Sequence, residues 1–323
     1  MDIIKPVRLK CGDEIRIIAP SDSLARVGGM EANLSAKRKL EDWGYQVSFG
    51  ENVEEVDLQG SSAITSRVSD LHQAFADDHV KAILTVIGGT TSNELLPYLD
   101  YELIAQHPKI ICGFSDFTAL CNAITARTGI ITYYGPAYAT LKMHGQQGRY
   151  QDQYWRQVLG RNGSITLNSS KTWTSDAWYD DTITHDFQPN EWKVYNSGEV
   201  EGVTAGGNLN TLYLLQGTPY QPQLDDRIIL GEFAEEGDWS EFSRILASLL
   251  QVAPHPRALI LGRFPRESQM TEKRLLYILG KFPELKKIPV MYNVNFGHAQ
   301  PIFTIPIGAE LKVDTRKKEL TIL

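Results

Sequence analysis

Cysteine is scarce in this chain. Its 323 residues include only Cys11, Cys112 and Cys121, an odd set without a C-x-x-C pair. A disulfide framework is therefore not expected. H-E-x-x-H, C-x-x-C and the calcium-loop pattern are all missing, so neither a metal nor another cofactor is expected. Gly88-Gly89 and Gly206-Gly207 do not have the spacing of a dinucleotide fingerprint. No apolar run approaches the ~20 residues of a membrane helix. The opening M-D-I-I-K-P-V-R-L-K is broken by charge and has no signal-peptide core. Basic charge is in the minority: 32 Lys and Arg against 39 Asp and Glu give a net charge of −7. A nucleic-acid polymer or an anionic membrane is a poor partner for that balance. Together these features predict a reduced, cytoplasmic protein.

What is present is alternation. Apolar residues make up 42% and charged residues 22% of the chain, values of an ordinary globular protein. E-I-R-I-I-A-P-S (14–21), Y-Q-V-S-F (45–49), A-I-L-T-V-I (82–87) and 109–113 read as strands. Helical spacing covers 30–43, Ile64 to Ala76 and 92–98, with Val68, Leu71 and Phe75 on one face. Strands alternating with helices predict a parallel sheet covered on both faces. Polar and aromatic sequence over 146–200 reads as a linker followed by a long functional loop. Beyond it, strands at 227–233, 257–262 and 288–295 alternate with helices at 239–251 and 271–282, and the end is β-rich. The expectation is an α/β fold. An N-terminal, doubly wound, mostly parallel sheet of flavodoxin-like type (1–145) and the linker and aromatic loop (146–200) precede a mixed α/β lobe with a β-rich end (201–323).

In such sheets ligands sit at the carboxyl ends of the strands. K-I-I-C-G-F-S-D-F-T-A-L (109–120) places Ser115 at such an end, where a strand gives way to a helix. Two readings compete. A serine followed by an aspartate suits a helix cap and first turn. A serine on a sharp strand-to-helix turn is also exposed as a nucleophile, with helix amides behind it to hold an oxyanion. The stretch is not a complete G-x-S-x-G elbow, because Phe117 stands at the last glycine. A nucleophilic serine needs a base. Of seven histidines, His298 alone follows an apolar strand, in N-V-N-F-G-H. Glu232 closes the apolar run R-I-I-L-G-E and is a candidate to orient that base, whereas Glu235, Glu236 and Asp238 belong to an exposed acidic cluster.

I-G-G-T-T-S-N-E-L-L-P-Y-L-D-Y (87–101), G-F-S-D (113–116), G-G-N-L-N-T-L (206–212), the Glu232 strand and F-G-H (296–298) occur in one order. In that order they resemble the LD-carboxypeptidases, the serine peptidase family that includes the microcin C self-immunity (MccF-type) peptidases. The likeness covers nearly the whole chain. It implies a catalytic triad of Ser115 as nucleophile, His298 as base and Glu232 as its orienting group. It also implies an oxyanion hole at the amides of Gly88, Gly89 and Asp116, and a homodimer. Relatives often read L-E-D where this chain reads G-E-F, which makes Glu235 the fallback for Glu232.

Within the family, murein enzymes release a terminal D-alanine from cell-wall tetrapeptide. Immunity-type members cleave the amide joining an amino acid to a nucleotide-like group. The 87–101 stretch and the loop K-T-W-T-S-D-A-W-Y-D-D (171–181) are closer to the immunity type. Trp178, Trp173 and Asn208 are the expected contacts to a small-molecule or short-peptide substrate. Trp178 is expected to stack on a base; the alternative is that Trp173 and Trp178 anchor the loop to the protein surface. Two rivals stand beside this reading: Cys112 as the nucleophile, and a non-catalytic ligand-binding protein.

Overall fold

The structure, a computed structural model, describes residues 2–179 and 182–323. Strands β1 (Glu14–Ile18), β2 (Gln46–Phe49), β3 (Val80–Thr85), β4 (Ile110–Gly113) and β5 (Thr132–Tyr134) lie in the order β2-β1-β3-β4-β5, every pair parallel. This is the doubly wound, flavodoxin-like order, whose ligands gather where the strand order reverses. Ile17, Ile18, Ile83, Leu84, Ile110 and Ile111 are buried, as befits strands covered on both faces. The helix Ile64–Ala76 falls where its spacing predicts. The helix expected over 30–43 is instead two pieces, Gly29–Ala32 and Leu34–Asp42. Asn33 sits between them, its side-chain amide donating to the carbonyls of Val27 and Gly29.

The second sheet is mixed. Its centre is four parallel strands: Glu199–Asn208, Ile228–Glu232, Ala258–Gly262 and Val290–Val294. Antiparallel strands extend it on both sides. Helix Trp239–Val252 is capped by Asp238, which accepts from the Ser240 and Glu241 amides.

Two features depart from the sequence reading. The start of the expected linker is a sixteen-residue helix, Gly145–Gly160. Its buried stripe contains Gln147, Gly148 and Gln151 beside Tyr154, Trp155, Val158 and Leu159, so apolar periodicity does not reveal it. Gln151 is accommodated because its amide donates to the Thr140 carbonyl. The β-rich C-terminus is also split between the sheets. Ile305–Ile307 pairs antiparallel with β5, while Glu310–Asp314 and Glu319–Ile322 join the second sheet.

The lobes are tied at a second place. Buried Asn122, on helix Thr118–Thr128, donates to the Gly206 carbonyl at 2.8 Å and accepts from the Gly206 amide at 3.1 Å. The carboxyl end of β4 therefore faces the ends of Ile228–Glu232 and Val290–Val294. Among the described residues, no helix is long and apolar enough to cross a membrane.

Candidate active site

β4 ends at Gly113, Phe114 is still extended, and Ser115 turns into the left-handed region with φ 61°. Such a conformation is costly for a residue with a Cβ and marks a turn held by its surroundings. A short 3₁₀ turn then runs into helix Thr118–Thr128. Three contacts hold the turn. The Ser115 amide donates to the Tyr134 hydroxyl at 2.8 Å. The Thr118 hydroxyl donates to the Ser115 carbonyl at 2.7 Å and accepts from the Asn208 amide at 2.8 Å. Phe117 is buried beneath. The Ser115 side chain does not cap the helix; its Oγ lies 3.0 Å from His298 Nε2.

His298 reaches this point from the loop after Val290–Val294. Its Nδ1 lies 2.7 Å from Glu232 Oε2. A carboxylate accepts only, so Nδ1 carries the proton there and Nε2 is left as the acceptor for the Ser115 hydroxyl. Glu232 ends its strand and is 1% exposed. Space for it comes from glycine. A Cβ on Gly297, whose φ is 101°, would fall 2.6 Å from Glu232 Oε2, and one on Gly262 would fall 2.9 Å from Glu232 Cβ. Glu232, not Glu235, is thus the acid that meets the imidazole.

Tyr134 is the residue that sequence reasoning missed. Its hydroxyl donates to Glu232 Oε1 at 2.6 Å while accepting from the Ser115 amide, so one buried phenol joins both ends of the arrangement. T-Y-Y-G carries no mark that separates it from an ordinary core strand. Burial raises the Glu232 carboxyl, but the His298 charge and hydrogen bonds from His298, Tyr134 and Asn208 outweigh it and hold the group below its usual range. For His298, burial opposes the imidazolium. The Glu232 carboxylate outweighs that penalty and, with smaller contributions from Glu235 and Glu236, lifts the group to about 9.

The diglycine turn sits against Ser115. A Cβ on Gly88 would lie 2.7 Å from Ser115 Cβ and 2.9 Å from its Oγ. Gly89 has φ 141° and faces Ser21 and Asp22, which leave no room for a side chain. The Asp116 carboxylate accepts from the Ser21 hydroxyl at 2.5 Å and the Ser92 amide at 2.8 Å, locking this turn to the helix start. Among the described residues, the Gly89 and Asp116 amides have no protein acceptor, so both can donate to a developing oxyanion.

Ser115 opens into a cavity of about 580 Å³ whose lining includes Gly89, Asn208, Asn210, Glu236, Glu241 and Arg244. Asn208 is buried, and its side-chain oxygen caps helix Leu209–Tyr213. The tryptophans lie elsewhere. Trp173 is covered by Arg263 and Arg266, whose guanidinium carbons stand 4.4 and 5.5 Å from its ring centroid. Trp178 lines a separate cavity of about 440 Å³ with His144, His185 and Phe187. Cys112 is buried, and burial pushes its thiol well up, which leaves it a poor nucleophile. Among the described residues, no group of three or more His, Cys, Asp or Glu could hold a metal ion.

Residues 15–135 match the LD-carboxypeptidase N-terminal domain family, and residues 201–313 match its C-terminal domain family. The putative carboxypeptidase YocD of Bacillus subtilis is 42% identical over 95% of each chain. The microcin C7 self-immunity protein MccF of Escherichia coli is 32% identical over 88% of this chain and 85% of its own. Among solved structures, an MccF-like protein from Bacillus anthracis is 42% identical with TM-score 0.95, covering 99% of both chains. MccF in complex with glutamyl sulfamoyl guanosine is 27% identical with TM-score 0.89, covering 98% of this chain and 97% of its own.

Proposed function

Because this chain belongs to the LD-carboxypeptidase family, we propose that it is a serine peptidase of the microcin-immunity type. It hydrolyses the amide between an amino acid or short peptide and a nucleotide-like group. The observation that carries this reading is the hydrogen-bonded line from Ser115 through His298 to Glu232, assembled from both lobes at the head of one cavity.

The chemistry follows from that line. His298 Nε2 takes the Ser115 proton as Oγ attacks the carbonyl carbon. Glu232 fixes the tautomer and stabilises the imidazolium that forms. The oxyanion of the tetrahedral intermediate is held by the amides of Gly89 and Asp116, with Gly88 leaving the approach open. The imidazolium then gives its proton to the leaving nitrogen, and the carbon–nitrogen bond breaks. Water, deprotonated by His298, releases the acyl group from Ser115. Trp178, in its own aromatic cavity, stacks the nucleobase, whereas Trp173 is buttressed by its arginines and anchors the loop.

Release of D-alanine from murein tetrapeptide is the second reading. It is favoured by a probable murein peptide carboxypeptidase of Bacillus subtilis that is 28% identical over 98% of this chain and 94% of its own. A paired hydrolysis assay separates the two, with an aminoacyl sulfamoyl adenosine in one tube and murein tetrapeptide in the other, each beside Ser115→Ala. Cleavage of the nucleoside compound alone, lost in the variant, is the expected result. Cleavage of the tetrapeptide alone assigns the murein activity. Binding without Ser115-dependent cleavage of either supports a ligand-binding protein.

A further inference from the structure

The far wall of the Ser115 cavity is built from the loop after Glu232 and from two helices, Leu209–Tyr213 and Trp239–Val252. It is rich in acceptors. Glu236 and Glu241 both line it. Glu241 Oε1 accepts from the Asn210 side-chain amide at 2.9 Å, which fixes the carboxylate and turns the Asn210 carbonyl the other way. That carbonyl oxygen is buried and, among the described residues, receives no hydrogen bond. Arg244 is the single basic residue on the lining, and it is exposed. Two carboxylates therefore outnumber one guanidinium, and the field of Glu236 reaches His298.

Three-donor ammonium and five-donor guanidinium groups are the complements of such a wall. The nucleotide-like group is assigned to the Trp178 cavity, which leaves this one for the acyl side of the scissile bond. We propose that the acyl residue carries a cationic side chain, and that Glu236 and Glu241 select it over an acidic one. This rests on the function proposed above.

The test compares lysyl sulfamoyl adenosine with glutamyl sulfamoyl adenosine. Hydrolysis by the wild type is followed by mass spectrometry, and binding to Ser115→Ala is followed by calorimetry. The lysyl compound should be preferred by about tenfold in kcat/KM and in Kd, the size expected of partly exposed charge pairs of opposite and like sign. Glu236→Lys should reverse the preference. Any change it makes at His298 acts on both substrates and cancels in the ratio. Equal use of the two compounds, or preference for the glutamyl one, overturns the proposal. Lysyl-selective binding without Ser115-dependent hydrolysis would sustain the charge selection while overturning the peptidase reading.

Discussion

On the N-terminal side of the site, position is set by backbone; on the C-terminal side it is set by charge. Ser115 is held with φ 61° by a strand end, a buried phenylalanine and hydrogen bonds to its own peptide groups. Holding that conformation costs about 1–3 kcal/mol, supplied by the packed sheet around it. Glu232 and His298 have no such frame. They come from separate strand ends, and what orients them is a buried carboxylate against an imidazole, with glycines clearing the space. Removing a side chain from the first half should spare geometry and cost chemistry. Removing one partner from the second should disturb both, because it leaves a buried group uncompensated.

The largest effect should come from the backbone-held half. Ser115→Ala is expected to lower kcat by about 10⁴-fold or more with little change in thermal stability, since the turn does not depend on the hydroxyl. Steady-state kinetics beside a melting curve checks this; a large loss of stability would break the comparison. Glu232→Gln should follow, at about 10³- to 10⁴-fold in kcat, because the amide no longer fixes the histidine tautomer. Tyr134→Phe sharpens the contrast, since the hydroxyl serves both halves. It leaves the Ser115 amide and one Glu232 oxygen short of a partner, for a loss of about 1–3 kcal/mol in stability by chemical denaturation and a clear fall in kcat. The smallest effects belong to the aromatic loop. Trp178→Ala should weaken a nucleoside-bearing substrate by about 1–3 kcal/mol while sparing murein tetrapeptide. Trp173→Ala should affect both alike through the loop it anchors; equal losses for Trp178→Ala would remove its stacking role.

The same contrast explains what the sequence disclosed. Helix Ile64–Ala76 and the strands around 14–18, 110–113 and 228–232 announce themselves through local periodicity and runs of branched apolar residues. Ser115 was visible for a related reason: a strand-to-helix turn is a local event with a local signature. His298 and Glu232 stood out only as polar residues at strand ends, and their meeting depends on how two sheets face each other. Tyr134 was invisible because its role is defined wholly by partners 19 and 98 residues away. Helix Gly145–Gly160 was hidden by the glutamines in its buried stripe, one of which, Gln151, donates its amide to the Thr140 carbonyl. The place of Ile305–Ile307, beside β5 and not in the second sheet, is a long-range pairing that no local pattern encodes. Trp173 and Trp178 lie five residues apart, and the sequence reading favours stacking for Trp178; the arginines that cover Trp173 come from the distant 263–266 segment.

The pH dependence of kcat/KM on an aminoacyl sulfamoyl adenosine, for the wild type beside Glu232→Gln, tests the central claim most directly. The base must be neutral to accept the Ser115 proton, so activity rises with pH through the pKa of His298. The buried Glu232 carboxylate raises that group to about 9, placing the wild-type acid limb well above the ordinary histidine range. Neutralising the carboxylate lowers the pKa, so the limb of Glu232→Gln should move to lower pH even as its maximum rate falls. A wild-type limb at the ordinary histidine value that the substitution leaves in place would contradict the account.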